Sequence, residues 1–295
     1  MSDRPEAAQL ARNLFPGLAA TLDRALTAGE AETRLGRRGV LSDGSATPGV
    51  PARDTFEAQL GAEVNRFQSR HAALAWNDVA DEAARDAVLG AFALVRDVLR
   101  DSDIELPAPE SFAGLVDLGA VADRFEAGLT PVPAPYGLGL DSWQGLFQRA
   151  AEQHPEQLDP REPFVIATEA VREFGLLGDV TAGPFIDASS GRPGVRWTLR
   201  LVPDGAAPAL LGLNFDHGPH VTLPEMLMLQ LMRVTAGLAP LDHASFTWLA
   251  GGLAAGKLGA RHVYDVADRA VRISCREIGN QGPHLGARTP VDLAA

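Results

Sequence analysis

The stretch VRWTLRLV at 195–202 decides the reading of the fold. Val195, Trp197, Leu199 and Leu201 alternate with Arg196, Thr198, Arg200 and Val202, a period of two that sends the two sets to opposite faces of a strand. The pattern predicts a strand with one buried face. Downstream, the turn-rich link PDGAAP leads into LLGLNF at 210–215, a possible hairpin partner, and upstream PFVIAT at 163–168 is a short apolar run with strand propensity. RHVYDVA at 261–267 and AVRISCREI at 270–278, separated by Asp268 and Arg269, predict a second hairpin.

Between these pairs lies a helix that marks its own start. Thr222 is a cap, Pro224 fits the first turn, and Glu225 stands three residues after the cap, the spacing of a capping box. Gly237 ends it, so the expected span runs to Ala236. Met226, Leu227, Met228, Leu229, Leu231 and Met232 make it apolar on nearly every side, which predicts a core helix in preference to a partner-binding groove.

The N-terminal part has a different character. Leu10, Leu14, Leu18, Leu22 and Leu26 recur every four residues along one side of a helix that Pro16 and Gly17 interrupt, and the Gly- and Pro-rich stretch 29–53 reads as a mobile loop. Asp54 and Glu57 have capping-box spacing before Phe56, Leu60, Val64, Phe67, His71 and Leu74, which predicts a helix over 55–75. Asn77 or Asp78 would cap the next one, with Val79, Ala83, Val88, Phe92, Val95 and Leu99 on its apolar side. A short helix is expected over 112–125, and TPVPAPYGLG at 130–139 reads as a Pro-rich connector. Asp141 and Gln144 then suggest a capped helix through WQGLFQRAAEQ. The expected organisation is α+β: a helical region over 1–130, a connector at 131–140, and a 141–295 domain built on a mostly antiparallel sheet with a few packed helices.

The 295 residues are 46% hydrophobic and 22% charged, with 26 basic against 38 acidic side chains and a net charge of −12. Acid is in excess on both sides of residue 140, so neither part offers the basic face that nucleic acid or anionic lipid requires. No window is long and apolar enough for a membrane helix, and MSDRPEAAQLARNLFPG lacks the basic start and apolar run of a secretory signal. Cys275 is the only cysteine, which excludes an internal disulfide and fits a reducing cytoplasm.

Candidate chemistry is concentrated in the histidines. His217, His220, His243, His262 and His284 all fall near the C-terminal end, and NFDHGPHVT places Asp216 beside His217-x-x-His220. A divalent transition metal wants imidazoles and a carboxylate converging on one point, so Asp216, His217 and His220, with His243 or His262, make a candidate site for a metal-dependent hydrolase. Against it, Gly218 and Pro219 make the segment a turn that does not aim both rings one way, and the helical HExxH spacing is absent.

GGLAAGKL at 251–258 has the Gly251, Gly256 and Lys257 spacing of a phosphate-binding loop, but Leu258 stands where the magnesium-binding hydroxyl belongs. TWLAGGLAAGKLGARH at 247–262 reads better as a short apolar segment entering a glycine-rich loop. Ser189 and Ser190 lie in a turn with no nucleophile elbow, and Cys275 shares a strand face with Val271 and Ile273 as a small core residue. Asp179, Asp187, Asp204 and Asp216 fall in expected loops and spacing nominates no pair, while Trp143, Trp197 and Trp248 read as core anchors. Asn280, Gln281, His284 and Arg288 suit either a recognition loop or a packed tail. The leading expectation is a non-catalytic cytoplasmic protein that binds a protein partner or itself. Metal-dependent hydrolysis and small-ligand binding are the alternatives.

Overall fold

The computed structural model describes residues 81–293 except 113–115, 117–120, 122–123, 126–127, 181–182, 184, 188–193, 209–219 and 279–283. All of them belong to one compact unit, Ala72–Ala295. The helices expected over 5–26 and 55–75, the loop at 29–53 and the strand at 210–215 lie outside the described residues.

The unit is α+β. Its described elements are α1 (Glu82–Val98), a 3-10 turn (Pro109–Phe112), β1 (Leu129–Tyr136), α2 (Leu140–Gln153), β2 (Phe164–Ile166), α3 (Thr168–Arg172), α4 (Phe174–Gly178), β3 (Ile186–Asp187) and β4 (Arg196–Pro203). Then follow β5 (Ala207–Pro208), α5 (Leu223–Thr235), β6 (Phe246–Leu253), β7 (Leu258–Asp265), β8 (Ala270–Glu277) and β9 (Leu285–Ala287). They form a three-stranded sheet in the order β1-β4-β3 and a six-stranded sheet in the order β2-β8-β7-β6-β9-β5. Among the described strands only the β2/β8 and β6/β9 pairings are parallel.

The segment 130–136, expected as a connector, is a strand. Its prolines are what mislead, and the pairing explains them. Leu201 and Val291 exchange backbone hydrogen bonds at 3.2 and 2.8 Å, so Leu201 and the residues in step with it turn their N–H groups away from β1. Pro131, Pro133 and Pro135 oppose Leu201, Leu199 and Trp197, the positions where a strand residue's N–H would point to the outer edge. Proline has no N–H to leave unpaired there, so the alternation suits an edge strand and blocks a further strand from adding.

The alternation in 195–202 holds, but both faces are buried: Trp197 through Val202 are all enclosed. Thr198, Arg200 and Val202 oppose Ala134, Val132 and Thr130, and α5 covers this side. A polar face expected to meet water instead meets a helix. Within the expected link PDGAAP, Ala207 and Pro208 form the short β5, which pairs with β9. Residues 246–253, expected as an apolar segment, form β6, whose register with β7 shifts between Trp248 and Gly252.

α5 starts as its sequence says. Thr222 accepts from the Glu225 N–H, the Glu225 side chain returns to the cap backbone, and Pro224 occupies the first turn. The helix is buried on every side, with Met226, Leu227, Met228, Leu229, Leu231 and Met232 at most 2% exposed. Each such side chain contributes roughly 1.5–3 kcal/mol by leaving water, which offsets the burial of Glu225 and Gln230 among them. Gln230 is satisfied in both directions, donating to the Leu241 carbonyl at 3.1 Å and accepting from its N–H at 2.9 Å.

α1 is capped by Asp81, which accepts from the Ala84 N–H at 3.0 Å, and packs on β1 and α5 with Ala84, Val88, Phe92 and Val95 inward. Ala83, expected on that face, is exposed. α2 begins at Leu140 with Gly139 as cap and no side-chain cap bond, so Asp141 and Gln144 do not form the expected box. Trp143, Trp197 and Trp248 are all buried, as core anchors should be.

Candidate functional site

Two charged constellations form where the sheets and α5 meet, and each is built from residues far apart in the chain. The first is centred on Glu225, in the first turn of α5. Arg200 of β4 donates through Nε and Nη2 to the two Glu225 oxygens, both at 2.6 Å, while the Thr222 N–H and hydroxyl each donate to Oε2 at 2.9 Å. With the Thr222 proton directed to Glu225, its oxygen accepts from Tyr136 at 2.7 Å. Burial, and then the Glu225 charge, push the Tyr136 hydroxyl upward, so it stays a proton donor. Burial opposes the Arg200 charge, but the Glu225 hydrogen bonds and charge outweigh it and the net direction is up. The fork geometry satisfies both carboxylate oxygens at once.

The second is centred on Asp242, between α5 and β6. Its Oδ2 accepts from His262 Nδ1 at 2.8 Å and from Arg288 Nη1 at 2.9 Å, and its Oδ1 lies 2.8 Å from Arg288 Nη2 in the same ion pair. Arg288 also bonds to Thr247 Oγ1, to the Pro203 carbonyl at 3.0 Å and to that of Asp204 at 3.1 Å. Burial pushes the Asp242 carboxyl up, but His262 and Arg288 together hold it down at about 2. His262 and Asp242 side chains are 0% and 1% exposed, and His262 Nε2 has no hydrogen-bond partner. A histidine backed by a carboxylate has the residue types of a catalytic dyad, but this one is enclosed, so its unpaired nitrogen reaches no solvent-borne proton. The two constellations share backbone: Val221, next to Thr222, donates to the Arg288 carbonyl at 2.8 Å.

No protein-family model, curated protein or solved structure matches this chain.

The residues singled out for metal binding fare as follows. Asp216 and His217 lie outside the described residues. His220 is half-buried just ahead of the Thr222 cap, and His243 is exposed beside Asp242, whose carboxylate turns inward to His262 and Arg288. Among the described residues no group of three or more His, Cys, Asp or Glu is placed to hold a metal. Ser189, Ser190, Asn280 and Gln281 also lie outside the described residues, and Arg288, weighed as surface recognition or packing, is buried at 2% exposure. Cys275 packs against the core, and burial pushes its thiol up, away from the thiolate form a nucleophile needs.

The glycine-rich segment 251–258 closes the β6–β7 hairpin, whereas a phosphate loop joins a strand to a helix. One amide of its turn, the Ala254 N–H, already holds a carboxylate, Glu173 at 3.0 and 3.2 Å. Ala254 and Ala255 stand at φ +51° and +55°, the left-handed region. Exposed Ala255 therefore carries a strain that glycine would not. Ala255→Gly should raise stability by about 0.5–1 kcal/mol, the relief of strain less the added freedom of the unfolded chain. An unfolding midpoint at or below the parent's would contradict this.

Sequence reasoning missed both constellations. The alternation places Arg200 on the face opposite the buried one, and spacing gives Glu225 a capping role alone. The available signal was an acid and an amide on a helix otherwise apolar all round, since buried polar groups require partners. Asp242 carries no such mark in the sequence; its left-handed backbone at φ +62°, a conformation Asp enters more readily than most residues, is seen only in the structure.

Proposed function

We propose that this chain is a cytoplasmic protein without catalytic activity, acting by binding a protein partner or further copies of itself. The observation that supports this best is the closure of both charged constellations. Glu225 and Asp242 are each saturated by an arginine and further donors inside the chain, and Arg200, the most exposed of these ionic side chains, is 8% exposed. A general acid or base has to come within hydrogen-bond reach of a substrate proton, and a nucleophile within reach of its target. Saturated groups in a packed interior do neither; their contribution is to a single rigid arrangement of two sheets and a helix. No helix among the described residues is long and apolar enough to cross a membrane.

A second reading, binding of a small polar ligand, is favoured by a cavity of about 190 Å³ lined by Asp101, Ser102, Asp103, Asp141, Ser142 and Arg149. Metal-dependent hydrolysis through Asp216, His217, His220 and His243 is the reading an experiment should remove first. Elemental analysis of the full chain beside a His217→Ala/His220→Ala variant is expected to find the same sub-stoichiometric transition metal in both, with light scattering showing a defined oligomer or partner complex. Near one equivalent of metal in the parent, lost in the variant, overturns the proposal.

A further inference from the structure

We propose that the outward face of the β7–β8 hairpin binds an acidic peptide segment of a partner protein, Arg261 and Arg276 receiving carboxylates two residues apart. The inference rests on the non-catalytic, protein-binding reading and names its surface and the chemistry of the partner. Arg261 opposes Ser274 and Arg276 opposes Gly259, so the two arginines are diagonal neighbours on one face. Such neighbours stand at roughly 7–8 Å, and an extended peptide repeats same-side side chains at roughly 6.5–7 Å, so Glu-x-Glu or Asp-x-Asp matches the pair.

Arg261 is already oriented. Its guanidinium carbon lies 4.0 Å from the centroid of the Phe246 ring, and its Nε donates to Ser274 Oγ at 2.9 Å, which leaves the two terminal nitrogens for a carboxylate. A guanidinium held by stacking loses little freedom when a ligand arrives. Arg276 is exposed, and no carboxylate among the described residues pairs with either arginine. Arg272, further along the same face, differs: Asp265 and Asp268 neutralise it.

The charge balance supports the choice of partner. Burial, and then the Arg276 charge, press the Arg261 pKa down, a repulsion that an arriving carboxylate relieves. The chain as a whole is at −12, which repels any polyanion and a long one such as nucleic acid most, so the attraction is confined to the two arginines and suits only a short acidic motif.

The test uses the full chain and a fluorescein-labelled peptide of alternating Glu and Ser, read by anisotropy at low and physiological salt. Beside it stand the same peptide with Gln for Glu, a phosphoserine version and a single-stranded oligonucleotide. The Glu peptide should bind and release with salt. Arg261→Gln/Arg276→Gln, with an unfolding midpoint near the parent's, should weaken it by about tenfold or more, while Arg172→Gln on exposed α3 leaves it unchanged. Equal binding of the Glu and Gln peptides, or of parent and double variant, overturns the proposal, as does tighter binding of the phosphoserine peptide or the oligonucleotide. Such a failure removes this surface alone and leaves the non-catalytic reading to the metal analysis, whose own failure leaves the peptide result standing.

Discussion

Glu225→Gln is expected to lower stability by about 3–5 kcal/mol, because it leaves the Arg200 guanidinium in the interior without its counter-charge. Arg200 is held by two 2.6 Å bonds and is 8% exposed, so water cannot replace the lost partner. Arg200→Met is expected to cost a similar amount by the reverse route, stranding the carboxylate with only the Thr222 donors. The informative variant is the double one. Arg200→Met/Glu225→Leu removes both charges, and the loss should shrink to about 1–2 kcal/mol, most of it the missing arm of the capping box. Urea unfolding of the four proteins gives the coupling directly. A double variant as unstable as the sum of the singles would show that the two side chains act through packing and not as a charge pair.

Asp242→Asn should cost about 3 kcal/mol at neutral pH by leaving Arg288 unpaired in the core. Asparagine suits the test because it tolerates the left-handed backbone at φ +62° and keeps the side-chain shape. The same carboxyl gives a pH signature. Its folded value, about 2, lies below its ordinary 3.8, so its contribution is complete above about pH 4 and disappears as pH falls through 2. That window carries about 2 kcal/mol. The gap between parent and Asp242→Asn should therefore be constant from pH 7 to about 5 and close progressively toward pH 2. A gap that stays constant into acid would mean that Asp242 is not held as an anion by His262 and Arg288.

These effects lie at positions where local pattern was silent or misleading. The alternation of 195–202 correctly announced a strand, but it left the question of what lies on each face. A period of two reports that two faces exist; whether the second meets water or a helix depends on α5, which enters from residue 223 onward. The same limit explains 130–136, where prolines read as punctuation are compatible with a strand once it is known to be an edge. His262 reads as a candidate metal ligand, and only its meeting with Asp242 across 20 positions shows that the two serve each other.

From the sequence alone came the α+β class, the capped helix at Thr222, the 261–278 hairpin and the core role of the tryptophans, because each is set by neighbours within a few residues: a cap three positions away, a period, a turn. The tertiary structure decided that β4 is enclosed on both sides, that β5 and β9 pair, and that Arg200 meets Glu225 and Arg288 meets Asp242. Those are contacts between segments distant in the chain, and a buried charge carries no local mark of which opposite charge will be brought to it. The partner is selected by the cost of leaving it unpaired in the interior, and that cost arises only once the packing exists.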